Sequence, residues 1–566
     1  MPGIDEISDG MTTAPWILGI SASHDGAACL LHGHDLVVAI KEERVARVRR
    51  KRVLAGDPAA CAIYCLQAAG LRIEDIDRVA ITVQGESGAS SHDLARNPLL
   101  RSVASARVLR VPHHAAHAVS AFAASGFRDA AVLVVDDTGS PFEDLWPSEK
   151  ALVGRNAAGS WECLSTYYAE GTTLTPIDKQ LYEHGAWTAG KPGMPRFRSL
   201  GGMYAAAGQQ IFGQPLEGGK VMGLAPYGAC RFGPQDFFDL APDGLRFLDT
   251  VPARISGGER WPGDRSLNCD LARSVQQALE VALLHTARQL RRKLATPRLC
   301  YAGGVALNGV ANERLLGEAG FDDVFLYPAA DDGGCAVGAA YWALWQMTDE
   351  NAHTRMTADQ GGRDYSKAEI VKAAEVVDGI RLMPTADPAG EAAARLLDGQ
   401  IIGWFIGRSE FGPRALGQRS ILCDPRHAAA KDELNARVKK REAFRPFAPA
   451  ILREAAADWF DLACGNDDSP FMMRVSSFKA ARRAAVPAVV HVDGSGRLQT
   501  VSKRDNALFY DLIAECGRRS GVPMLLNTSF NGKDEPIVET PQHALRTMLA
   551  TGLDACVFSD FVAVPQ

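Results

Sequence analysis

Three stretches of this chain follow one plan. AAVLVVDDTGS (Ala130–Ser140), LCYAGGVALNGVANERLL (Leu299–Leu316) and VFLYPAADDGGCAVGAAYWALW (Val324–Trp345) each pass from an apolar strand into an Asp- or Gly-rich turn. The last two continue into a helix. In open α/β sheets such turns gather at the carboxyl ends of strands, where ligands bind. The chain is therefore expected to be α/β, with its chemistry on those turns. Near the start, WILGISAS, HDGAACLL, HGHD and LVVAI alternate short apolar runs with Gly, His and Asp, which predicts neighbouring strands joined by tight turns at a sheet edge. Asp57 and Pro58 supply an N-cap and a first-turn proline for a helix over Cys61–Ala69, and a strand is expected at Arg78–Val83. A long helix over about Asp270–Leu294 separates the first of the three stretches from the second.

At 566 residues the chain exceeds what one hydrophobic core supports, so at least two domains are expected. Between Asp349 and Asp387 the sequence turns polar and irregular (TDENAHTRMTADQGGRDYSK, then MPTADP), which places a junction there. Beyond it, Asp387-Pro388 starts a helix, Ile401–Phe405 reads as a buried strand, and another helix is expected around Asp432–Val438. The expected division is a leader at 1–15, a first domain at 16–350, a junction at 351–386 and a second α/β domain at 387–566. No apolar run approaches the roughly 20 residues of a membrane span, and the acidic, turn-rich Met1–Pro15 lacks the basic and apolar regions of a secretory signal, so a cytoplasmic protein is expected. The 12 cysteines are scattered without a CxxC, which disfavours a zinc knuckle or redox couple. A formal charge of -6 disfavours nucleic acid as a partner but allows local anion pockets.

VPHHAAHAVSAF places His113 and His117 four residues apart. On a helix they share one face with Cβ atoms about 6 Å apart, while His114 is rotated away. The spacing suits a metal pair and equally two hydrogen-bonded core histidines. Asp136 and Asp332, at strand-to-turn positions, would complete a set suited to a divalent transition metal; otherwise each is a turn or helix cap. Gly303-Gly304 and Asn308 let backbone and a helix N-terminus approach a nucleotide. Lys220 in EGGKVMGLAPYG offers a point charge for phosphate, or a solvent-facing cation. In the second domain GRSEFGPRALGQRSI holds Arg408, Arg414 and Arg419 among glycines, and VKKREAFRPFAP adds Lys439, Lys440, Arg441 and Arg445. Arginine forks at that density suit a phosphorylated substrate. VPMLLNTSFNG ends a strand in Asn527, Thr528, Ser529 and Asn531, whose short polar side chains contact a phosphate or cap a turn.

Seven ordered motifs, SHDGAA, PHHAAHA, VMGLAPYG, AGGVALN, FGPRALGQRS, REAFRPFAP and LLNTSFN, resemble the O-carbamoyltransferases of natural-product pathways, among them the tobramycin, cephamycin and nodulation enzymes. The match runs from about Trp16 to the C-terminus. The resemblance implies an N-terminal domain of the actin and hexokinase (ASKHA) type and a C-terminal YrdC-like domain. It also implies that the second domain forms carbamoyl adenylate from carbamoyl phosphate and ATP, and that the first passes the carbamoyl group to a hydroxyl. Carried over by motif, His113, His117, Asp136 and Asp332 match metal ligands, for Fe(II) or another divalent transition metal, with Mg²⁺ as a further candidate cofactor. Lys220, Gly303, Gly304 and Asn308 match nucleotide contacts. Arg414, Arg419, Lys439, Arg441, Arg497 and Ser529 match the second site, with Asn527 and Thr528 beside it. His24 matches the base, and an ordinary histidine pKa of about 6.5 suits that role.

The chain departs from the family where relatives have D-G-x-G-E: it has Asp136-Asp137-Thr138-Gly139-Ser140. Where they have Gly-Asp it has Asp331-Asp332. Ligand choice between neighbouring aspartates is thereby left open, with Asp136 and Asp332 preferred by motif register. The expected acceptor is a small-molecule alcohol of antibiotic type, and the resemblance implies a tendency towards homodimers. Two other readings stand beside this one. A carbamoyl enzyme acting on a macromolecule is disfavoured by the charge balance, and an ATP-driven, non-catalytic actin-like clamp leaves the second, arginine-rich site without a purpose. The basic run Ala46–Arg52 is assigned no role.

Overall fold

The computed structural model describes residues 14–54, 56, 58–82, 84, 97–154, 157–183, 198–242, 244–248, 255, 257–462 and 468–566. The leader up to residue 13, the expected cap Asp57 and the strand end Val83 lie outside them.

The apolar runs at the start form β1 (Trp16–Ser21), β2 (Ala27–His32) and β3 (Asp35–Lys41), an antiparallel meander. A helix over Ala60–Ala69 leads to β4 (Arg78–Thr82), and β5 (Val108–Arg110) follows; both run parallel to β1, giving the order β3-β2-β1-β4-β5. The next sheet repeats this plan. β6 (Asp129–Val135), β7 (Ser160–Glu170) and β8 (Thr173–Glu183) form a meander, and a hairpin of β9 (Phe238–Ala241) and β10 (Gly244–Phe247) stands apart. β11 (Arg298–Ala302) and β12 (Asp323–Leu326) then add in parallel beside β6, in the order β12-β11-β6-β7-β8. Identical order and sense in two successive sheets is the duplicated arrangement of the actin and hexokinase type. No sequence repeat announces it.

Two helices, His113–Ser125 and Cys335–Thr348, pack against each other between these sheets, the first lying on β6 and β11 and the second on β1, β2 and β4. The Ala-rich composition of the first permits this: all of its residues are buried. The expected long helix spans Arg265–Lys293.

The second domain is built on a ten-stranded mixed sheet. Its strands are β13 (Ile380–Pro384), β14 (Ile402–Phe405), β15 (Arg419–Cys423), β16 (Ala448–Leu452), β17 (Phe460–Asp461), β18 (Arg474–Phe478), β19 (Ser495–Val501), β20 (Met524–Ser529), β21 (Ala555–Val557) and β22 (Phe561–Pro565). The order is β13-β22-β21-β14-β15-β20-β16-β19-β18-β17. Trp404, Phe509 and Leu525 fill one core and Phe405, Met524 and Phe478 another. The expected junction at 351–386 needs correction. β13 pairs antiparallel with β22, and Ile370, Ala373 and Ile380 are buried with the second domain's core, so this domain begins well before residue 387.

The domains are tied by buried polar contacts. Arg44 is 1% exposed and donates to the carbonyls of Glu410 and Gly412, at the start of the FGPRALG turn. Tyr64 donates to Glu539 at 2.6 Å, and Arg474 pairs with Glu313 at 2.8 Å. Among the described residues no helix is long and apolar enough to cross a membrane.

Candidate functional site

The helix carrying the histidine pair begins directly at His113, and its period sets His113 and His117 edge to face with ring centroids 4.7 Å apart. Asp136 is the first residue after β6, and Asp332 opens the short turn that leads into Cys335–Thr348. Strand end, turn and helix start thus converge in the layer between the two sheets. His113 Nε2 lies 3.5 Å from Asp136 Oδ2 and 3.3 Å from Asp332 Oδ1; His117 Nε2 lies 3.3 Å and 3.7 Å from the same atoms. All four residues are buried. His113 Nε2, His117 Nε2 and Asp136 Oδ2 have no well-aligned hydrogen-bond partner. Ligand atoms bound to one transition metal at about 2.0–2.2 Å stand roughly 3–3.5 Å apart, so this donor set fits such an ion. Burial disfavours charge on both rings, yet neighbouring Cys335 and the two aspartates hold His113 and His117 well above the ordinary histidine range. Burial would raise Asp332, but His24 and His113 hold it well below the carboxylate range.

The neighbouring aspartates face elsewhere. Asp331 pairs with buried Lys41 at 2.5 Å and accepts from Gly333 N at 3.1 Å. Asp137 lines the adjacent cavity, where burial and the Asp136 charge raise it to about 7. His114 points away from the pair as its rotation on the helix requires, with Nδ1 2.8 Å from Ser165 Oγ, and burial together with Lys179 keeps it well below its ordinary value. Cys335, which the sequence reading passed over, offers an alternative sulfur ligand with His113 and His117.

Beside these residues opens a cavity of about 560 Å³. His24, in the turn between β1 and β2, reaches it with Nδ1 3.0 Å from Asp332 Oδ2 and 3.1 Å from Gln84 Oε1. Burial alone would lower its pKa, but Asp332 and Asp25 raise it to about 10. Gln84 in turn donates to the Thr138 carbonyl at 2.8 Å; no sequence motif pointed to it. Arg50 and Arg52, from the run given no role, also line the cavity, as do Gly304, Asn308 and Arg414.

Five of the expected contact residues also make contacts within the protein. Gly303 backs onto β6: at φ +92° its missing Cβ would lie 2.3 Å from the Val135 carbonyl, so glycine is required there for close approach to the strand. Asn308 caps the helix Gly309–Glu318 and donates to Gln276 Oε1 at 2.9 Å, so its amide is held by protein groups. Lys220 is held between Glu217 and Glu442, at 3.3 and 3.0 Å. Arg419 is fully buried in β15, donates to the carbonyls of Ile406, Gly407 and Gln418 and stacks 3.6 Å from the Phe405 ring centroid, which leaves it a structural cation. Asn527 is equally internal, donating to Ala415 O and Gln499 Oε1.

The remaining second-domain residues gather. Lys439 Nζ is 2.8 Å from Asn531 Oδ1 and 3.3 Å from Ser529 Oγ, with Thr528 alongside in β20. Burial, then Arg441 and Arg445, push Lys439 well below its ordinary value. Arg414 acts first on Arg497, followed by burial, Arg445 and Arg441, and together they depress its guanidinium; Arg414 and Arg441 are themselves lowered by burial, to about 10 and about 9. Arginine does not deprotonate in proteins, so the physical meaning is a buried excess of positive charge that a bound anion would relieve.

Models of the carbamoyltransferase N-terminus and C-terminus match residues 16–93 with 86–341, and 393–564. The chain belongs to the carbamoyltransferase family. Among its relatives, the nodulation protein NolNO of Sinorhizobium fredii is 35% identical over 95% of this chain and 78% of its own length. The nodulation protein NolO of Bradyrhizobium diazoefficiens is 37% identical over 80% of this chain and 78% of its own. Among solved structures, full-length HypF in its phosphate- and nucleotide-bound form aligns over 60% of this carbamoyltransferase and 56% of the HypF chain, at 12% identity and a TM-score of 0.37. The enzyme class sets aside the clamp reading.

Proposed function

We propose that this carbamoyltransferase makes carbamoyl adenylate in its second domain and transfers the carbamoyl group to a small-molecule hydroxyl in the first. The observation that carries this reading is Arg414. It comes from the second domain's FGPRALG turn, lines the first domain's cavity with Asp332 and His24, and acts electrostatically on Arg497 and through Arg445. In this reading the two sites would adjoin across one guanidinium.

In this scheme carbamoyl phosphate, ATP and water give carbamoyl adenylate, phosphate and pyrophosphate; the alcohol then takes the carbamoyl group and releases AMP. Lys439, Arg441, Arg445 and Arg497 bind and orient the phosphates, and their burial strengthens each contact. His24 faces the cavity where the acceptor hydroxyl would lie; with Asp332 engaged by a cation, the carboxylate that chiefly keeps His24 protonated would be withdrawn, leaving its imidazole free to take the hydroxyl proton. A divalent transition metal, iron in the family expectation, would be held by His113, His117, Asp136 and Asp332 and supply Lewis-acid polarisation. The cavity volume suits a drug-sized alcohol, such as the secondary-metabolite acceptor the sequence suggests.

The test is incubation of the purified protein with ATP, carbamoyl phosphate and Fe(II). Pyrophosphate release without acceptor, followed by gain of one carbamoyl group on an alcohol from a panel, supports the scheme. Conversion of ATP to ADP alone overturns it.

A further inference from the structure

The helix bearing His113 and His117 has no side-chain cap of its own, because Pro112 occupies the N-cap position. The first four amides of any helix lack intrahelical acceptors, and burying them unpartnered is costly. Here two are satisfied from another part of the chain. His113 N donates to Ser140 Oγ at 2.8 Å, and His114 N donates to Glu162 Oε2 at 3.3 Å. Ser140 ends the loop that begins at Asp136, and Glu162 lies on β7.

The same carboxylate ties that loop down. Ser140 N donates to Glu162 Oε2 at 2.9 Å, Glu162 N donates to Ser140 O at 3.0 Å, and Gly139 N donates to Glu162 O at 2.7 Å. The loop runs so close over His114 that a Cβ on Gly139 would lie 2.7 Å from His114 Nε2 and 2.8 Å from Glu162 Oε2. Behind it, Glu162 Oε1 pairs with Lys179, which also contacts Glu149 Oε1 at 3.0 Å, Ser165 Oγ at 3.0 Å and Tyr167 OH at 3.1 Å. The side chains of Lys179, Glu149 and Glu162 are fully buried. Ser165 in turn holds His114. A single carboxylate thus clamps the helix that carries two of the four metal-suited residues to the loop that carries a third, and a buried cation fixes its own rotamer. A negative group at a helix N-terminus is also favoured by the helix dipole.

We infer that Glu162, backed by Lys179 and Ser140, is the positioning residue of the four-residue metal centre: it fixes the distance between Asp136 and the histidine pair, and so sets how tightly and in what geometry an ion is bound. This rests on the metal reading of His113, His117, Asp136 and Asp332. Groups that hold ligands in place typically contribute about 10–100-fold to metal affinity when removed.

The test titrates the full-length apoprotein with Co(II), following the visible d–d spectrum and the dissociation constant by calorimetry. In wild type one Co(II) per chain is expected, lost in His113→Ala. If wild type binds none, the metal reading itself fails. Given wild-type binding, Glu162→Gln is expected to weaken Co(II) by about 10–100-fold and to alter the spectrum; an affinity within twofold and an unchanged spectrum overturn the inference. Should Glu162→Gln lose its native circular dichroism, Ser140→Ala and Ser140→Thr decide. Ser140→Ala is expected to weaken Co(II) severalfold and Ser140→Thr, which keeps the hydroxyl, to restore it. Equal affinity in Ser140→Ala and wild type overturns the inference.

Discussion

Arg414 Nη2 donates to the Leu307 carbonyl at 3.3 Å, joining the second domain's glycine-rich turn to the loop that follows β11 in the first. Its Nε is buried without a partner. The side chain also lines the cavity beside Asp332, so a guanidinium anchored on Leu307 is placed to meet an anion bound there.

Arg414→Met is accordingly expected to lower carbamoylated product by about 10²-fold, the range for loss of a preorganised charge-stabilising donor. Arg414→Lys, which keeps the charge and loses the fork, should recover only part of it. Mass spectrometry of product formation checks both. Product at the wild-type rate in Arg414→Met would remove this residue from the path between the sites.

Among the described residues His24 contacts Asp332, Gln84 and Asp25, all in the first domain. His24→Ala should therefore leave pyrophosphate release intact while transfer to the alcohol falls by about 10²–10⁴-fold, the usual contribution of a positioned acid–base group. Pyrophosphate and carbamoylated product measured in the same reaction separate the two half-reactions. Loss of both together would place His24 in overall folding instead.

Much of this site was legible because its residues are local in sequence. His113 and His117 are set on one face by helical period alone, and the turns carrying Asp136 and Asp332 follow short apolar strands. The duplicated sheet plan was not legible, since strand order depends on pairings far apart in the chain. For Gly303, Asn308 and Arg419 the motif gave no sign of the internal partners they take elsewhere in the chain: Val135, Gln276, and the carbonyls of residues 406 and 407. Gln84, Glu162 and Lys179 carried no local signal at all. Nothing in their neighbours' identity reveals that they face the histidine helix or the cavity.

The choice between Asp331 and Asp332, open in the sequence, becomes testable through Lys41. Asp332→Asn should abolish stoichiometric Co(II) binding. Asp331→Asn should leave Co(II) binding nearly intact but strip Lys41, 3% exposed, of its carboxylate. An unpaired buried charge typically costs about 3–5 kcal/mol, so urea denaturation should show a loss of that order for Asp331→Asn. The reverse pattern, with Co(II) lost in Asp331→Asn and retained in Asp332→Asn, would exchange the roles of the two aspartates.

Lys439 gives the enzyme a pH signature. Burial and the charges of Arg441 and Arg445 favour its neutral form in the folded, anion-free protein. Between that depressed value and the ordinary lysine value of about 10.5, the unfolded chain holds more protons than the folded one, so this group makes stability rise with pH across that window. A bound phosphate reverses the balance by favouring the ammonium. Inorganic phosphate binding should therefore take up a proton within the window and weaken as pH rises. Calorimetry in buffers of different ionisation enthalpy reads this directly: the apparent enthalpy should vary with buffer in wild type, and the dependence should shrink in Lys439→Met. Proton uptake that is identical in the two proteins would mean that another group, and not Lys439, titrates with the anion.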